Sequence, residues 1–277
     1  MAEAYNFEVK VGFSGGKDSQ VVYDLCKRAG IEFKAFYNVA FESPVTKKFI
    51  KDNYPNVVWQ KDHKFGFIEN ILKNHGGFLP TVESAYCCAD FKHNPKYVDK
   101  CTILGVRKEE SAKRAKRTVL SLKNKTTLKK MQNKISEYFI ENCQSVGTSS
   151  IIQLLPIVDW SEEEVLNYIE KYNLPKNPEY QNVKRIGCMV CPKTNFSHNY
   201  KTLIKYPKLI DAFILIREKT EKDWFIKTEN KDYSDDKIYY ICRWLNRSFR
   251  PFSKRQEKEY LLVKDAYINK KNKQLKF

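Results

Sequence analysis

The chain reads as an α/β protein built on a doubly wound parallel sheet, with a helical, basic C-terminal extension. Three features point to it. Val9 to Phe13 is a short apolar strand that enters the loop Ser14-Gly15-Gly16-Lys17-Asp18-Ser19 and then a helix beginning near Gln20. Strand-like and helix-like segments alternate after it, the rhythm of βαβ units. With 277 residues, 42% of them hydrophobic, the chain can bury one full α/β core and a smaller appended region.

The first helix, Gln20 to Ala29, buries Val21, Val22 and Leu25 and stops at Gly30, which suits the left-handed position past a helix end. Cys26 within it reads as a small buried apolar residue. Phe33 to Val39 is apolar enough for a buried parallel strand. Phe41-Glu42-Ser43-Pro44 turns into a helix through Tyr54, Val57 to Trp59 is a third strand, and Phe67 to Asn74 another helix. Glu42 lies on a turn at the sheet's ligand edge and is a minor site candidate against a plain solvated turn residue.

A strand at Thr102 to Leu104 leads into Gly105-Val106-Arg107-Lys108-Glu109-Glu110-Ser111-Ala112-Lys113-Arg114. Gly105 permits a tight exit, Arg107 stands at the strand's carboxyl end, and Ser111 and Arg114 follow at helical spacing. Ile151 to Leu155 is a further strand. Ser161 and Glu164 form a capping signal for a helix that buries Val165, Leu166 and Ile169, and Leu174-Pro175-Lys176-Asn177-Pro178 breaks it. From Thr194 onward the chain reads as helical, with an apolar stripe of Leu203, Ile204, Leu209, Ile210, Phe213, Ile214 and Ile216, and with Trp224 and Trp244 in its core. The expected division is 1–192, with a basic insertion near 113–150, and 193–277.

Lys and Arg number 50 against 33 acidic residues, a formal net charge of +17, so the surface should attract polyanions. DNA or tRNA is the expected partner, although a lysine-rich composition accounts for part of the same excess. Eleven Lys/Arg against two acids fall between Arg107 and Lys134, and eleven against three between Arg243 and Lys276. Phe249, Phe252, Tyr260 and Tyr267 interleave with the second run and would suit a nucleic-acid groove if exposed. No signal-peptide pattern or membrane-length apolar run is present, so a cytoplasmic protein with no membrane contact is expected. There, eight cysteines read as thiols or metal ligands rather than disulfides.

The glycine loop has the chemistry of a phosphate seat. Gly15 and Gly16 allow torsions that turn successive N–H groups inward, and the following helix adds the positive end of its dipole. Lys17 supplies a cation, Ser14 and Ser19 supply hydroxyls, and Asp18 either helps hold a metal ion or caps the helix. An ordinary strand-to-helix turn is the plainer alternative. The spacing is not that of the Walker A loop. Ser-Gly-Gly-Lys-Asp-Ser resembles instead the PP-loop of the ATP pyrophosphatase superfamily, which cleaves ATP between its α and β phosphates and shares the adenine nucleotide alpha hydrolase-like fold. The Gly105–Arg114 segment resembles the Gly-x-Arg-x-x-Glu-Ser-x-x-Arg block of the adenylyl-sulfate/phosphoadenylyl-sulfate (PAPS) reductase family. On those resemblances Ser14, Gly15, Gly16, Lys17, Asp18, Ser19, Gly105 and Arg107 bind ATP, with Mg2+ on the pyrophosphate. Lys17, Asp18, Arg107 and Arg114 are then the catalytic candidates.

Cys188-Met189-Val190-Cys191 is a second chemical centre, a Cys-x-x-Cys turn that suits a metal, a cluster or a redox dithiol. With the adjacent pair Cys87 and Cys88 it gives four sulfur ligands, enough for zinc or a 4Fe–4S cluster. Adjacent cysteines diverge along the backbone, which is awkward around one tetrahedral ion and better suited to two corners of a cluster. Cys101, Cys143 and Cys242 have no partner at ligand spacing. The Cys-Cys and Cys-x-x-Cys set resembles the 4Fe–4S ligands of assimilatory adenylyl-sulfate reductases and of the DNA phosphorothioation sulfurtransferase. The run Asp159-Trp160, Leu174-Pro175, Asn177-Pro178, Tyr180, Ile186-Gly187-Cys188 resembles the same family, so the likeness covers roughly residues 9 to 192. It implies ATP cleavage to AMP and pyrophosphate for sulfur transfer to nucleic acid, with a sulfur-donor protein as a further partner. Reduction of adenylyl sulfate or its 3′-phosphorylated form to sulfite is the alternative, and a non-catalytic nucleotide- and nucleic-acid-binding adaptor a third. The reductases' Glu-Cys-Gly-Leu-His motif has no counterpart in the 277 residues.

Overall fold

A computed structural model of the protein describes residues 8–61, 64–92, 101–122, 143–145, 152–220, 236–246 and 252–274. Its strands are β1 (Val9–Gly12), β2 (Lys34–Asn38), β3 (Val58–Gln60), β4 (Cys101–Ile103), β5 (Leu120–Leu122), β6 (Cys143–Ser145) and β7 (Ile152–Leu154). Its helices are α1 (Lys17–Arg28), α2 (Pro44–Asn53), α3 (Phe67–Asn74), α4 (Tyr86–Phe91), α5 (Glu162–Lys171), α6 (Phe196–Lys205), α7 (Lys208–Thr220), α8 (Lys237–Asn246) and α9 (Lys254–Gln274). Among the described residues, no helix is long and apolar enough to cross a membrane.

The chain divides into two compact units. The first, residues 1–62 and 91–187, holds the sheet in the order β3-β2-β1-β4-β7-β5-β6. All neighbours are parallel except β5 and β7. The chain winds outward from β1 through β2 to β3, then returns to place β4 on the other side of β1. The carboxyl ends of β1 and β4 therefore meet at the switch point, where open α/β sheets bind ligands.

Val11, Val21, Val22, Ile50, Ile157 and Val165 are wholly buried between the sheet, α1, α2 and α5. Helix α1 starts at Lys17, three residues before the expected start at Gln20, so the second half of the glycine loop is the helix's first turn. It ends as expected: Gly30 takes a φ of +65°, and Ile31 N–H returns to the Cys26 carbonyl at 3.1 Å. Ser161 and Glu164 make the expected reciprocal cap. Leu166 is exposed rather than buried, because only Val165 and Ile169 face the core.

The second unit comprises residues 63–90 and 188–277. It differs from the expected 193–277 because α3 packs on α7 and the buried Trp244 indole donates to the Pro80 carbonyl at 2.7 Å. These contacts draw residues 63–90, and the turn from Cys188, into the helical unit. Leu203, Ile210, Phe213 and Ile216 are buried as the stripe requires, while Ile204, one position round its helix, is exposed. Within the insertion expected near 113–150, residues 120–122 and 143–145 are the sheet strands β5 and β6, while 123–142 and 146–150 lie outside the described residues, as do Trp224 and Phe249. Tyr260 and Tyr267 are buried, so they serve the core of this unit and not a nucleic-acid groove.

Asp236 organises the end of this unit. One carboxylate oxygen caps α8, accepting the N–H groups of Ile238 (2.9 Å) and Tyr239 (3.1 Å). The other accepts the Tyr260 hydroxyl and the Lys264 ammonium, both at 2.6 Å. Burial pushes its pKa up, but the bonds from Lys264, Tyr260 and Tyr239 outweigh burial and hold it below the ordinary 3.8. A depressed carboxylate stabilises the fold above its unfolded pKa and loses that contribution as pH falls through the folded value. Asp236→Asn is therefore expected to lower stability by about 2 kcal/mol at neutral pH, with the gap to wild type narrowing below about pH 4. Urea unfolding at the two pH values checks both parts.

Candidate functional site

The glycine loop is held open by its own hydroxyls and by distant residues. Gly15 has a φ of +73°, and a Cβ there would stand 2.9 Å from the Ile50 side chain. The Ser19 hydroxyl donates to the Gly16 carbonyl at 2.8 Å and accepts the Ser14 N–H at 3.2 Å. The Ser14 hydroxyl accepts the Gly16 N–H at 3.3 Å. The two serines thus tie the loop to itself, where the sequence suggested hydroxyls free for phosphate. Asn177 Nδ2 donates to the Gly15 carbonyl at 3.0 Å. Gly16 is the N-cap of α1 and supplies no side-chain cap, so the helix opens without a protein oxygen from its cap residue over its first-turn N–H groups. A helix end of this kind is suited to an anion.

Gly105 lets the β4 exit pass against this turn: a Cβ there would lie 2.7 Å from the backbone carbon and oxygen of Asp18. Beyond it, the buried Arg107 guanidinium donates to Asp18 at 2.5 Å and to Glu109 at 2.9 Å. Burial alone would lower its pKa; the bonds to Asp18 and Glu109 prevail and keep it charged. Glu109 also accepts the Glu162 N–H at 2.9 Å, and the Glu162 carboxylate meets Lys17 Nζ at 3.2 Å. Lys17 closes the ring on Asp18 at 3.7 Å. Two cations and three carboxylates thus surround the first turn of α1.

Arg114 does not join Arg107 on one helical face. Ser111 is extended, with φ −174°, and separates a short 3-10 turn at Lys108–Glu110 from the next turn. Arg114 pairs instead with Glu110, which also meets Arg185 at 3.2 Å. Glu42 is a brace: it accepts the Tyr37 hydroxyl and the Ala40 N–H, each at 2.9 Å, and pairs with Lys92 at 3.3 Å. Sequence reasoning missed Asn177, Glu162 and the role of Tyr180, whose hydroxyl accepts the Lys17 N–H at 2.8 Å. An Asn before Pro178 is a capping signal, and it could have marked that turn.

All four candidate ligand cysteines fall in the second unit, and none of them forms a disulfide. Cys87 and Cys88 sit on α4, anchored by Asp90, which meets Asn70 at 2.8 Å and His75 at 2.7 Å. The His75 ring stacks on Tyr86 with centroids 3.5 Å apart. The turn at Cys191 is gripped by the fully buried Asn199, which accepts the Cys191 N–H at 3.0 Å and donates to its carbonyl at 2.9 Å. The pKa of the Cys87 thiol is pushed up by its bond with Cys88, then by burial, then by the charges of Cys88, Cys188 and Cys191. Among the described residues, no three ligating side chains are arranged to grip one metal ion.

A strand, glycine loop and helix at the switch point of a parallel sheet, with Lys17 on the first turn, define an α/β protein of the nucleotide-binding kind. The chain belongs to the phosphoadenosine phosphosulfate reductase domain family, whose profile matches residues 8–194. It is 27% identical over 226 residues to an uncharacterized protein of Methanocaldococcus jannaschii, covering 77% of this chain and 48% of that one. It is 24% identical over 213 residues to adenosine 5′-phosphosulfate reductase of Lysinibacillus sphaericus, covering 70% and 78%. It is 25% identical over 193 residues to sulfate adenylyltransferase subunit 2 of Vibrio vulnificus, covering 62% and 60%. The chain spans about half the length of the first of these relatives.

Gly105→Ala places a methyl against backbone that has no side chain to move aside. It is expected to destabilise the fold by about 1–3 kcal/mol and to weaken adenine-nucleotide binding by displacing the start of α1. Thermal unfolding and titration calorimetry with ATP check the two effects.

Proposed function

We propose that the chain seats the phosphates of ATP on residues 14–19 and cleaves ATP to AMP and pyrophosphate. The AMP moiety activates an acceptor on nucleic acid for sulfur transfer. The observation that carries this reading is Lys17, a cation on the first turn of a helix opened by a glycine at the switch point of the sheet. A relative named for adenylyl transfer, the Vibrio sulfate adenylyltransferase subunit, supports it.

An acceptor hydroxyl oxygen attacks the α-phosphorus and gives its proton to solvent water as the bond between the α-phosphorus and the pyrophosphate oxygen breaks and pyrophosphate leaves. Lys17 exchanges Glu162 for the phosphates, an easy exchange because the Glu162 side chain is 61% exposed. Arg107, fixed by Asp18 and Glu109, supplies a cation that needs no reorganisation as charge grows. Arg114 steadies this corner through Glu110. Mg2+ bound with the nucleotide would supply charge neutralisation for the pyrophosphate. Asp18 splits its oxygens between Arg107 and Lys17, and one comes free for the ion when Lys17 turns to phosphate. In a second step a sulfur nucleophile, delivered by a donor protein, displaces AMP from the acceptor carbon.

Cys87, Cys88, Cys188 and Cys191 fit a 4Fe–4S cluster in donor chemistry, four thiols being its usual ligand set. Zinc at the same cysteines is the alternative, and the adjacency of Cys87 and Cys88 favours the larger group. A cluster there would supply an electron-transfer or sulfur-binding centre.

Reduction of adenylyl sulfate to sulfite is the second reading, favoured by the Lysinibacillus relative, which is named for that reduction. Protein purified without oxygen separates the two when assayed for pyrophosphate from ATP, with and without DNA or tRNA, and for sulfite from adenylyl sulfate. The expected result is nucleic-acid-stimulated pyrophosphate release that falls about 100-fold or more in Lys17→Ala, with iron content unchanged. Sulfite from adenylyl sulfate with no ATP turnover would put the reductase first.

A further inference from the structure

The turn at Pro178–Gln181 sits beside the glycine loop although some 160 residues of chain separate them. Its placement is over-determined. Asn177 Oδ1 accepts the Glu179 N–H at 3.0 Å while its Nδ2 holds the Gly15 carbonyl, and the buried Glu179 carboxylate accepts the Ser43 hydroxyl at 2.7 Å. Tyr180 is thereby aimed at the loop. Its hydroxyl oxygen accepts the N–H of Lys17, the first helical residue, whose donor has no partner within the helix. Gly16 leaves room for this approach, since a Cβ there would stand 3.3 Å from the Tyr180 oxygen.

A phenol that accepts one hydrogen bond still has a proton to give. Among the described residues, the Tyr180 hydroxyl donates to none: its hydrogen bond is the one it accepts from Lys17. Burial pushes its pKa up to about 12, so the hydroxyl stays neutral and keeps that proton at physiological pH. Unlike the Lys17 ammonium, whose charge is met by Asp18 and Glu162, this donor is uncommitted.

We propose that Tyr180 is a phosphate-binding residue of the loop: its hydroxyl accepts the Lys17 N–H and donates its own O–H in a hydrogen bond to an oxygen of the bound phosphate. The inference rests on residues 14–19 being a phosphate seat and extends that seat by one neutral donor from outside the motif. Bonds in such a chain polarise one another, so the relay binds a tetrahedral oxyanion more tightly than the N–H alone. The oxyanion is the pyrophosphoryl group of ATP or the phosphate of adenylyl sulfate, and both present the same acceptor.

The test is titration calorimetry of the full chain with inorganic pyrophosphate, ATP and adenosine 5′-phosphosulfate, comparing wild type, Tyr180→Phe and a protein carrying 3-fluorotyrosine at 180. The phenylalanine variant is expected to keep the wild-type unfolding midpoint and to bind the preferred ligand roughly tenfold more weakly. The fluorinated residue, a stronger donor, is expected to bind at least as tightly as wild type. Equal or tighter binding by Tyr180→Phe would overturn the proposal and leave the hydroxyl as a mere stand-in for phosphate. Weaker binding by the fluorinated protein, with its midpoint unchanged, would overturn it too. Failure of wild type to bind any of the three would instead overturn the phosphate seat itself. Loss with ATP alone, or with adenosine 5′-phosphosulfate alone, would assign the oxyanion's source.

Discussion

The structure of the first unit depends on holding one short stretch of backbone, residues 14–19, in the turn that leads β1 into α1. Such a stretch collapses or misfolds if left to local forces, because its glycines are the residues least restrained on their own. Two long-range contacts prevent this. The Asn177 amide holds the Gly15 carbonyl from one side, and the β4 exit at Gly105 lies against Asp18 from the other. The sheet order makes both possible, since β4 beside β1 brings residue 105 to the loop. The loop is thus a product of topology as much as of its own six residues.

The charges follow the same logic. Lys17 and Arg107 are each met by carboxylates, so the site carries no bare buried cation. Their exposure separates their roles. Arg107 is buried and doubly held, which makes it a fixed element of the field. Lys17 is held by an exposed glutamate on α5, a partner that leaves at small cost because water and salt already screen it.

Much of this was legible in the sequence. Strands β1 to β4 and β7, helices α1, α2, α3 and α5 and the Ser161–Glu164 cap follow from period, propensity and short-range capping, which act within a few residues; β5, β6 and α4 carried no such local signal. The four cysteines were named from their spacing and from the resemblance, and all four fall in the second unit. What escaped was long-range or depended on exposure. Nothing local shows that the serines of the loop bond inward, or that Asn177 and Tyr180 reach across some 160 residues. The regular spacing of Arg107, Ser111 and Arg114 suggested one helical face, but an extended Ser111 divides it. The aromatics of α9 looked available for stacking and instead anchor on Asp236 and Asp211. The unit boundary moved for a similar reason: a single indole bond, Trp244 to Pro80, joins segments that are remote in sequence.

The central claim is that residues 14–19 seat the phosphates of an adenine nucleotide. A crystal structure with an ATP analogue whose α–β bridge resists cleavage tests it most directly. The account predicts phosphate oxygens within about 3 Å of the first-turn N–H groups of α1, with Lys17 turned from Glu162 to the ligand. Phosphates bound elsewhere, with the Lys17–Glu162 pair intact, would contradict it.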